Sequence, residues 1–267
     1  MKLGIFGRPI GHTKSPDIFM VLGKILGRKI AYRAVEVKDG GLRDAVERAR
    51  RAGWRGVNVT IPFKIEAAAL AERLTPVAKA LGAVNTLRFR AKIEGHNTDG
   101  EGLRDSLKRA GVVMAGKRAL IFGAGGAARA AGWALARCGA KSVRFTARTA
   151  LTAKRCVRDL APSFPGTNFS SGAPRNADIW INATPLGQKG HRDISPADSK
   201  LRAPETAVDL VYGKGTAFQR HARGLGAHVT DGTAMLVCQA LRGWEFWDKS
   251  LGGRRVEIAE RIIKELE

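Results

Sequence analysis

A glycine-rich segment at residues 123–128 has the residue types and spacing that bind phosphate groups. Its sequence, Gly-Ala-Gly-Gly-Ala-Ala, fits G-x-G-x-x-A and lies between the apolar run Ala119–Phe122 and an amphipathic stretch. The first glycine permits a tight turn, the second lets the backbone approach a pyrophosphate, and the helix N-terminus offers N–H donors. A bare glycine pattern is weak, but the strand–turn–helix context makes it informative. It predicts a dinucleotide site, a turn without a ligand being the alternative; the expected contacts are Gly123, Ala124, Gly125, Gly126 and Ala127.

The residues after the next apolar run indicate which dinucleotide would bind. An NAD site usually has Asp or Glu at the end of that strand, whereas this chain has Arg148 and Thr149, followed by Lys154 and Arg155. A carboxylate would repel a 2′-phosphate, but a guanidinium and a hydroxyl can bind it. The sequence therefore favours NADP, with Arg148 and Thr149 as contacts. A solvent-exposed arginine on a very basic chain is the alternative explanation.

Four polar segments interrupt the apolar pattern of the first hundred residues. They are Gly11–Pro16, Asn58–Lys64, Gly82–Leu87 and Asn97–Gly100. Each has an ordinary explanation by itself; Ser15, for example, suits the N-cap of a helix that has a proline at its first position. Strand alternation, however, places Asn58 and Thr60 on one face, with Lys64 just after the break at Pro62. The segments are therefore informative only as a set.

The elements that must position these residues are short apolar runs alternating with amphipathic stretches, which predicts an α/β protein with a mostly parallel sheet. The predicted strands are Leu3–Phe6, Val57–Ile61, Ala83–Phe89, Arg118–Phe122, Ser142–Ala147, Asp178–Asn182 and Thr206–Val211. Helical spacing marks Asp17–Leu26, Ala127–Arg137 and Asp231–Asp248. Because no repeat or flexible linker is visible, a domain boundary is expected as a short crossing near residues 98–100.

The chain is strongly basic, with 46 Lys plus Arg against 24 Asp plus Glu in 267 residues and a net charge of +22. The excess is spread evenly, since residues 1–98 hold 19 basic and 8 acidic side chains and residues 99–234 hold 21 and 10. A nucleic-acid binder usually concentrates its charge, and an aromatic share of 6% supplies few base-stacking groups. We therefore expect no nucleic-acid partner and keep polyanion binding as the alternative from another functional class.

Cysteine and histidine usage argues against a disulfide framework and a metal centre. Cys138, Cys156 and Cys238 form an odd, widely separated set, which fits a reducing compartment. The histidines show no metal-ligand spacing, and no apolar run approaches the ~18 residues of a membrane helix. The N-terminus reaches Arg8-Pro9 too soon for a signal peptide. We expect a cytoplasmic protein without a metal or a membrane partner.

Together, the polar segments and the glycine-rich turn resemble the shikimate dehydrogenase family. The motifs that carry the resemblance are Thr13–Pro16, Asn58–Lys64, Gly82–Thr86, Asn97–Gly100, Gly123–Gly126, Asn182–Gly187, Asp209–Tyr212 and Met235–Gln239. They occur in the family's order and span nearly the whole chain. The resemblance implies reversible reduction of the small-molecule substrate 3-dehydroshikimate to shikimate by NADPH, in aromatic amino-acid biosynthesis.

The resemblance also implies two α/β domains with a cleft between them. Residues 1–98 plus 235–267 would form the substrate-binding and catalytic domain, and residues 99–234 a Rossmann-type NADP-binding domain. The C-terminal helices would return to the first domain. We expect a monomer or a homodimer.

The family's functional residues map onto this chain individually. The resemblance assigns catalysis to Lys64 and Asp99, and Lys64 can supply a proton or positive charge to an oxygen that becomes negative on hydride transfer. The expected substrate ligands are Thr13, Ser15 and Tyr212 for the carboxylate, and Thr60, Asn85 and Gln239 for the hydroxyls. The residues expected on the nicotinamide side are Thr184, Leu210, Gly232 and Met235.

Some positions depart from the family's usual pattern. Thr13 replaces a Ser, and its extra methyl group leaves quinate, or another related ring acid, open as an alternative substrate. Ala147 replaces a common Asn near the adenosine ribose. Lys214 and Ala234 replace a common Pro and Gly, so the nicotinamide pocket is expected to differ in shape.

Overall fold

The computed structural model describes residues 1–197, 200–213 and 215–266, so Lys214 lies outside the described residues. The chain divides into two compact units. Unit 1 contains Met1–Thr98 and Val237–Glu267, and unit 2 contains Asp99–Leu236. The boundaries expected from the sequence put residues 235 and 236 with the first part of the chain, whereas the structure puts them in unit 2.

Helices and strands alternate along the whole chain. Up to residue 98 the elements are β1 (Lys2–Gly7), α1 (Ser15–Leu26), β2 (Ala31–Glu36), α2 (Leu42–Arg51), β3 (Gly56–Val59), α3 (Lys64–Leu70), β4 (Arg73–Leu74), α4 (Pro76–Leu81), β5 (Thr86–Phe89) and β6 (Ile93–His96). Then follow α5 (Asp99–Arg109), β7 (Arg118–Phe122), α6 (Gly126–Arg137), β8 (Ser142–Thr146), α7 (Ala150–Leu160), a short 3-10 helix (Ala161–Ser163), β9 (Asn168–Ser171), β10 (Ile179–Asn182), β11 (Thr206–Asp209), α8 (Ala217–Gly224), β12 (His228–Thr230), α9 (Thr233–Trp247) and α10 (Arg255–Leu266).

Unit 1 contains a six-stranded mixed sheet in the order β2-β1-β3-β5-β6-β4. Strand β1 is parallel to β2 and β3, whereas β5 is antiparallel to β3 and β6. The last part of α9 packs on this sheet, where the Trp247 indole N–H donates to the Leu87 carbonyl at 2.8 Å. A side chain at Gly56 would overlap both groups. Gly56 therefore allows the C-terminal part of the chain to cover β3.

Unit 2 contains a six-stranded parallel sheet in the order β12-β11-β10-β7-β8-β9. This is the strand order of the doubly wound dinucleotide-binding fold, in which ligands bind beyond the carboxyl ends of the strands where the order reverses. The reversal here lies between β7 and β10. The glycine-rich segment follows β7, so it stands at that position.

Several boundaries predicted from the sequence are wrong by one to three residues. Helix α1 begins at Ser15 itself, with Lys14 as N-cap and no side-chain cap. Strand β5 begins at Thr86 rather than Ala83, because the chain first leaves α4 through its C-cap Gly82, which has φ of 60°. Helix α9 begins at Thr233, whose N–H donates to the Asp231 carboxylate at 2.9 Å.

Among the described residues, no helix has both the length and the apolar character needed to cross a membrane. Within the same ranges, no group of three or more His, Cys, Asp and Glu side chains could hold a metal ion. Cys138, Cys156 and Cys238 are not joined in disulfide bonds.

Candidate active site

The end of β3 places Asn58 and two of the expected site residues, Thr60 and Lys64, in succession in unit 1. Asn58 lies within β3, Thr60 follows its last residue, and Lys64 is the first residue of α3. The Phe63 N–H closes the intervening turn by donating to the Thr60 carbonyl at 2.9 Å. The Lys64 carbonyl accepts a hydrogen bond from the Val84 N–H at 2.8 Å. The backbone of Lys64 is therefore tied to the segment that precedes β5.

Asn85, at the end of that segment, is 3% exposed and bonded at both ends of its amide. Its Nδ2 donates to Thr98 Oγ1 at 2.9 Å, and its Oδ1 accepts from the Thr98 N–H and the Thr86 hydroxyl, each at 2.9 Å. The Thr98 hydroxyl lies 3.3 Å from Gln239 Oε1 in α9. This network fixes which way the Asn85 amide faces and brings together two of the expected hydroxyl-binding residues, Asn85 and Gln239.

Thr13 and Ser15 lie at the start of α1, and Ser15 is 3% exposed. The Thr13 hydroxyl donates to Ser15 Oγ at 3.2 Å. Tyr32 of β2 donates its hydroxyl proton to Asn58 Oδ1 at 2.7 Å. Burial raises the pKa of Tyr32 above its usual range. Tyr32 was not among the expected site residues, because no local motif distinguishes it from other strand residues.

Asp99 is the first residue of α5 in unit 2 and is 6% exposed. A carboxylate in the first turn also suits the positive end of the helix dipole. The adjacent Gly100 has a packing role, because a Cβ there would lie 2.6 Å from the Trp133 ring. The structure thus explains part of the Asn97–Gly100 motif by packing, and the catalytic role of Asp99 stays a prediction.

The glycine-rich turn joins β7 to α6 and contains two glycines with different roles. Gly123 has φ of 116°, and a Cβ there would lie 2.8 Å from the Ala183 carbonyl oxygen. A Cβ at Gly125 would have no atom within 4 Å. The backbone and its neighbours therefore require a glycine at position 123, whereas Gly125 borders open space. An exposed backbone without a side chain can be approached closely by a pyrophosphate.

Arg148 and Thr149 lie between β8 and α7, and both are exposed. Thr149 is the N-cap of α7, but its side chain makes no capping hydrogen bond. Lys154 and Arg155 are exposed on the same helix. Cationic side chains beside a helix N-terminus attract phosphate groups. The donor set fits the 2′-phosphate of NADP.

The carboxyl ends of β10 and β11 are joined by a buried hydrogen-bond cluster. Asn182 and Asp209 are opposite each other in the register and fully buried, and Asn182 Nδ2 donates to Asp209 Oδ1 at 2.9 Å. The second carboxylate oxygen accepts from the Thr216 hydroxyl at 2.6 Å and from Gln219 Nε2 at 3.2 Å. Burial raises the pKa of Asp209. Asn182 Oδ1 accepts from the Thr184 hydroxyl at 2.6 Å, so the cluster also holds Thr184.

The other residues expected beside the nicotinamide follow the ends of β11 and β12. A Cβ at Gly232 would lie 2.5 Å from the Leu210 carbonyl oxygen, so these two residues are in close contact. Met235 lies in the first turn of α9. Tyr212 is half-buried, and burial raises its pKa. Thr184, Leu210, Gly232 and Met235 thus all lie in unit 2, on the segments that follow β10, β11 and β12.

Unit 2 thus has a parallel sheet with a glycine-rich turn at its reversal point, and unit 1 carries a buried cluster of amides and hydroxyls. These two features define the class of dinucleotide-dependent α/β oxidoreductases.

Comparisons with known proteins narrow that class. Residues 5–87 match the family model described as the shikimate dehydrogenase substrate binding domain. Shikimate dehydrogenase (NADP(+)) of Anaeromyxobacter dehalogenans is 38% identical over 252 residues, which cover 91% of this chain and 89% of that protein. Its counterpart in Thioalkalivibrio sulfidiphilus is 40% identical over 253 residues, covering 92% of each. The solved structure of shikimate 5-dehydrogenase from Thermus thermophilus, in complex with NADP(H) and shikimate, superposes with a TM-score of 0.81 at 32% identity, covering 98% of this chain and 99% of that one. The chain belongs to the shikimate dehydrogenase family.

Proposed function

We propose that this protein is an NADP-dependent shikimate dehydrogenase that reversibly reduces 3-dehydroshikimate to shikimate in the cytoplasm. The observation that carries the proposal is the buried polar cluster around Asn85. It lies in the unit that matches the family's substrate-binding model, and the matched range, residues 5–87, includes five expected site residues. They are Thr13, Ser15, Thr60, Lys64 and Asn85.

Lys64 is the proton donor in this proposal. NADPH, when bound, supplies the hydride that reduces the ketone carbon, and negative charge then develops on the ketone oxygen. The Lys64 ammonium stabilises that charge and transfers a proton to the oxygen, which yields the alcohol. Asp99 is the second catalytic residue in this proposal, and its carboxylate accepts a hydrogen bond from a ring hydroxyl. In the reverse direction the neutral Lys64 amine accepts the hydroxyl proton.

The remaining polar residues orient the ring acid. Thr13, Ser15 and Tyr212 donate hydrogen bonds to its carboxylate, and Thr60, Asn85 and Gln239 bind its hydroxyls. The backbone of the glycine-rich turn binds the pyrophosphate of NADP, and Arg148 and Thr149 bind the 2′-phosphate. Thr184, Leu210, Gly232 and Met235 surround the nicotinamide.

The direct test is oxidation of shikimate by the purified protein, followed as NADPH formation. Lys64→Ala is expected to lower kcat by about 10²- to 10⁴-fold, the usual contribution of a positioned acid or base. Lys92→Ala, at an exposed lysine of the same unit, serves as the matched control and keeps wild-type rates. Values of kcat/KM for shikimate and quinate, each with NAD and NADP, decide between the substrates that Thr13 leaves open. Absence of wild-type turnover on both acids would refute the proposal.

The two glycines of the turn give a second test, directed at the cofactor. Gly125→Ala is expected to raise the KM for NADP by about tenfold or more, equivalent to ~1.4 kcal/mol, while thermal stability stays unchanged because the new methyl group meets no protein atom. Gly123→Ala strains the backbone and is expected to lower the free energy of unfolding by about 1–3 kcal/mol. Equal stability losses in both variants would contradict a ligand-facing role for Gly125.

A further inference from the structure

Thr98 has no role in the proposed reaction, yet its hydroxyl contacts both amides that are expected to bind the substrate hydroxyls. Thr98 is fully buried, and its Oγ1 lies 2.9 Å from Asn85 Nδ2 and 3.3 Å from Gln239 Oε1. A side-chain amide has a donor end and an acceptor end, so either end could bind a ring hydroxyl. The hydrogen bonds around Thr98 determine which end of the Gln239 amide is turned towards it.

A backbone donor, which cannot exchange its role for that of an acceptor, fixes the orientation of Asn85. The Thr98 N–H donates to Asn85 Oδ1 at 2.9 Å, so the donor end of this amide, Nδ2, is the end bonded to Thr98 Oγ1. The neighbouring Asn97 holds this backbone in place, because its Nδ2 donates to the Ala83 carbonyl at 3.0 Å. The Thr98 hydroxyl oxygen therefore accepts a hydrogen bond from Asn85.

The single hydroxyl proton of Thr98 is then donated to Gln239. Asn85 Oδ1 is also 3.3 Å from this hydroxyl, but it already accepts from the Thr98 N–H and from the Thr86 hydroxyl, each at 2.9 Å. An amide oxygen has two lone pairs, and these two donors occupy both. The proton of Thr98 thus goes to Gln239 Oε1, and the donor end of the Gln239 amide, Nε2, is turned away from Thr98.

The packing of α9 places Gln239 on the helix face that covers these polar groups. Gly243 lies four residues after Gln239 in α9, on the same face of the helix. A Cβ at Gly243 would lie 3.5 Å from Asn58 Nδ2 and 3.6 Å from Thr86 Oγ1. This face of α9 therefore packs directly on the polar groups of β3 and β5, and the helix holds Gln239 beside Thr98.

We propose that Thr98 is a positioning residue that makes Gln239 bind the ring acid through its Nε2 donor and not through its Oε1 acceptor. The proposal rests on the proposed function. It makes Thr98 a determinant of specificity without contact to the substrate, because the ring must present a hydrogen-bond acceptor to Gln239. A ring with an ammonium group at that position, which only donates, is excluded.

A double-mutant cycle of Thr98→Val and Gln239→Ala tests this role through kcat/KM for shikimate. Thr98→Val is expected to lower kcat/KM about tenfold, a loss of ~1.4 kcal/mol, through a higher KM for shikimate and with the KM for NADP unchanged. In the Gln239→Ala background the same substitution should cost much less, because no amide is left for Thr98 to orient. Equal losses in the two backgrounds would overturn the proposal.

Two control variants distinguish the orientation of Gln239 from a general loss of stability. Thr98→Ser keeps the hydroxyl and should retain the wild-type KM for shikimate. Thr167→Val removes a buried hydroxyl of unit 2 that donates to the Ala140 carbonyl at 2.9 Å, and it should also leave that KM unchanged. A raised KM in either control would attribute the effect of Thr98→Val to packing or to stability and would overturn the proposal.

The donor end of Gln239 can be observed directly in heteronuclear NMR spectra. The side-chain N–H₂ signals of Gln239, identified by their absence from Gln239→Ala, should shift when shikimate is added, because Nε2 then donates to the ring acid. Thr98→Val should reduce that shift. If the signals of Gln239 stay unchanged while shikimate binds, Nε2 is not the binding end and the proposal is wrong.

Urea unfolding of the Thr98 and Gln239 variants separates this proposal from the proposed function. If the wild-type protein turns over neither shikimate nor quinate, the function is refuted. The hydrogen bond between Thr98 and Gln239 still predicts that the double variant loses less stability than the sum of the single variants. Additive losses of stability would show that Thr98 does not orient Gln239 and would overturn the inference on its own.

Discussion

The two units hold their loops with buried polar networks of different chemistry. In unit 1 the hydrogen bonds from Tyr32 through Asn58 and Thr86 to Asn85 form a neutral relay. Its central groups both donate and accept, as Asn58 does towards Tyr32 and Thr86. In unit 2 the Asp209 carboxylate receives donors only, from Asn182, Val211, Thr216 and Gln219. A neutral relay transmits orientation from one end to the other, because each group must match its neighbour. A carboxylate instead gathers several chain segments at one point, because each donor bonds it independently.

Converting the neutral relay to a charged one should have the largest effect on stability. Asn58→Asp removes the Nδ2 donor and places a carboxylate beside the Asn85 carbonyl oxygen, which Nδ2 contacts at 3.2 Å in the wild type. We expect a loss of about 3 kcal/mol or more in the free energy of unfolding at pH 8. The deficit should shrink at pH 5, because burial favours the protonated carboxyl. Urea unfolding at both pH values measures it, with Asn168→Asp at an exposed strand position as control.

The reciprocal change in unit 2 should have a smaller effect with the opposite pH dependence. Asp209→Asn turns an amide N–H₂ towards groups that are themselves donors, with an expected cost of about 1–3 kcal/mol. Since burial raises the pKa of Asp209, the wild-type fold binds a proton more readily than the unfolded chain. The contribution of Asp209 to the stability of the wild-type fold is therefore greatest below pH 3.8, the ordinary pKa of an aspartate. It falls as the pH rises through the raised pKa of Asp209.

The loss in free energy of unfolding caused by Asp209→Asn should therefore become smaller from pH 4 to pH 7. The loss caused by Asn58→Asp should instead become larger as the pH rises. The two substitutions should also differ in kinetics. Asp209 anchors residues expected beside the cofactor, whereas Asn58 contacts Asn85, which is expected to bind the substrate. A rise mainly in the KM for NADP is expected for Asp209→Asn. If the stability losses of the two variants changed with pH in the same direction, the proposed difference between the neutral and the charged network would be wrong.

The smallest effect on the free energy of unfolding is expected at an exposed ion pair of unit 2, whose charges are solvated rather than buried. Arg118 and Asp178 are 2.6 Å apart, and hydrogen bonds from Arg118 lower the pKa of Asp178 to about 2. Arg118→Met should return that pKa towards 3.8, as followed by NMR titration. Because the Arg118 side chain is 55% exposed, stability at pH 7 should change little. Any stability from the depressed pKa is lost only as the pH falls from about 4 towards 2. A loss at pH 7 as large as that of Asp209→Asn would contradict this account.

The parts of the molecule that the sequence predicts well depend on neighbours close in the chain. Strand β7 has the predicted bounds, and the turn after it was recognisable from the spacing of Gly123 and Gly125. Tyr32 was not recognisable, because its partner Asn58 is 26 residues away and the next member, Thr86, is 28 residues further along. Such contacts depend on strand order, which local patterns do not determine. The resemblance supplied the other site residues as expectations, without the hydrogen bonds that hold them.

The pairing of Gly56 with Trp247 has a consequence for synthesis of the chain on the ribosome. The sheet of unit 1 is made from the first ninety-eight residues, but part of its cover, including Trp247, is translated about 150 residues later. Unit 2 has all of its residues once position 236 has emerged, so it can fold while unit 1 is still incomplete. During that interval the β3 surface that Trp247 later covers is open to other nascent chains. The order of translation thus makes the N-terminal unit the later of the two to be completed and the more dependent on protection from aggregation.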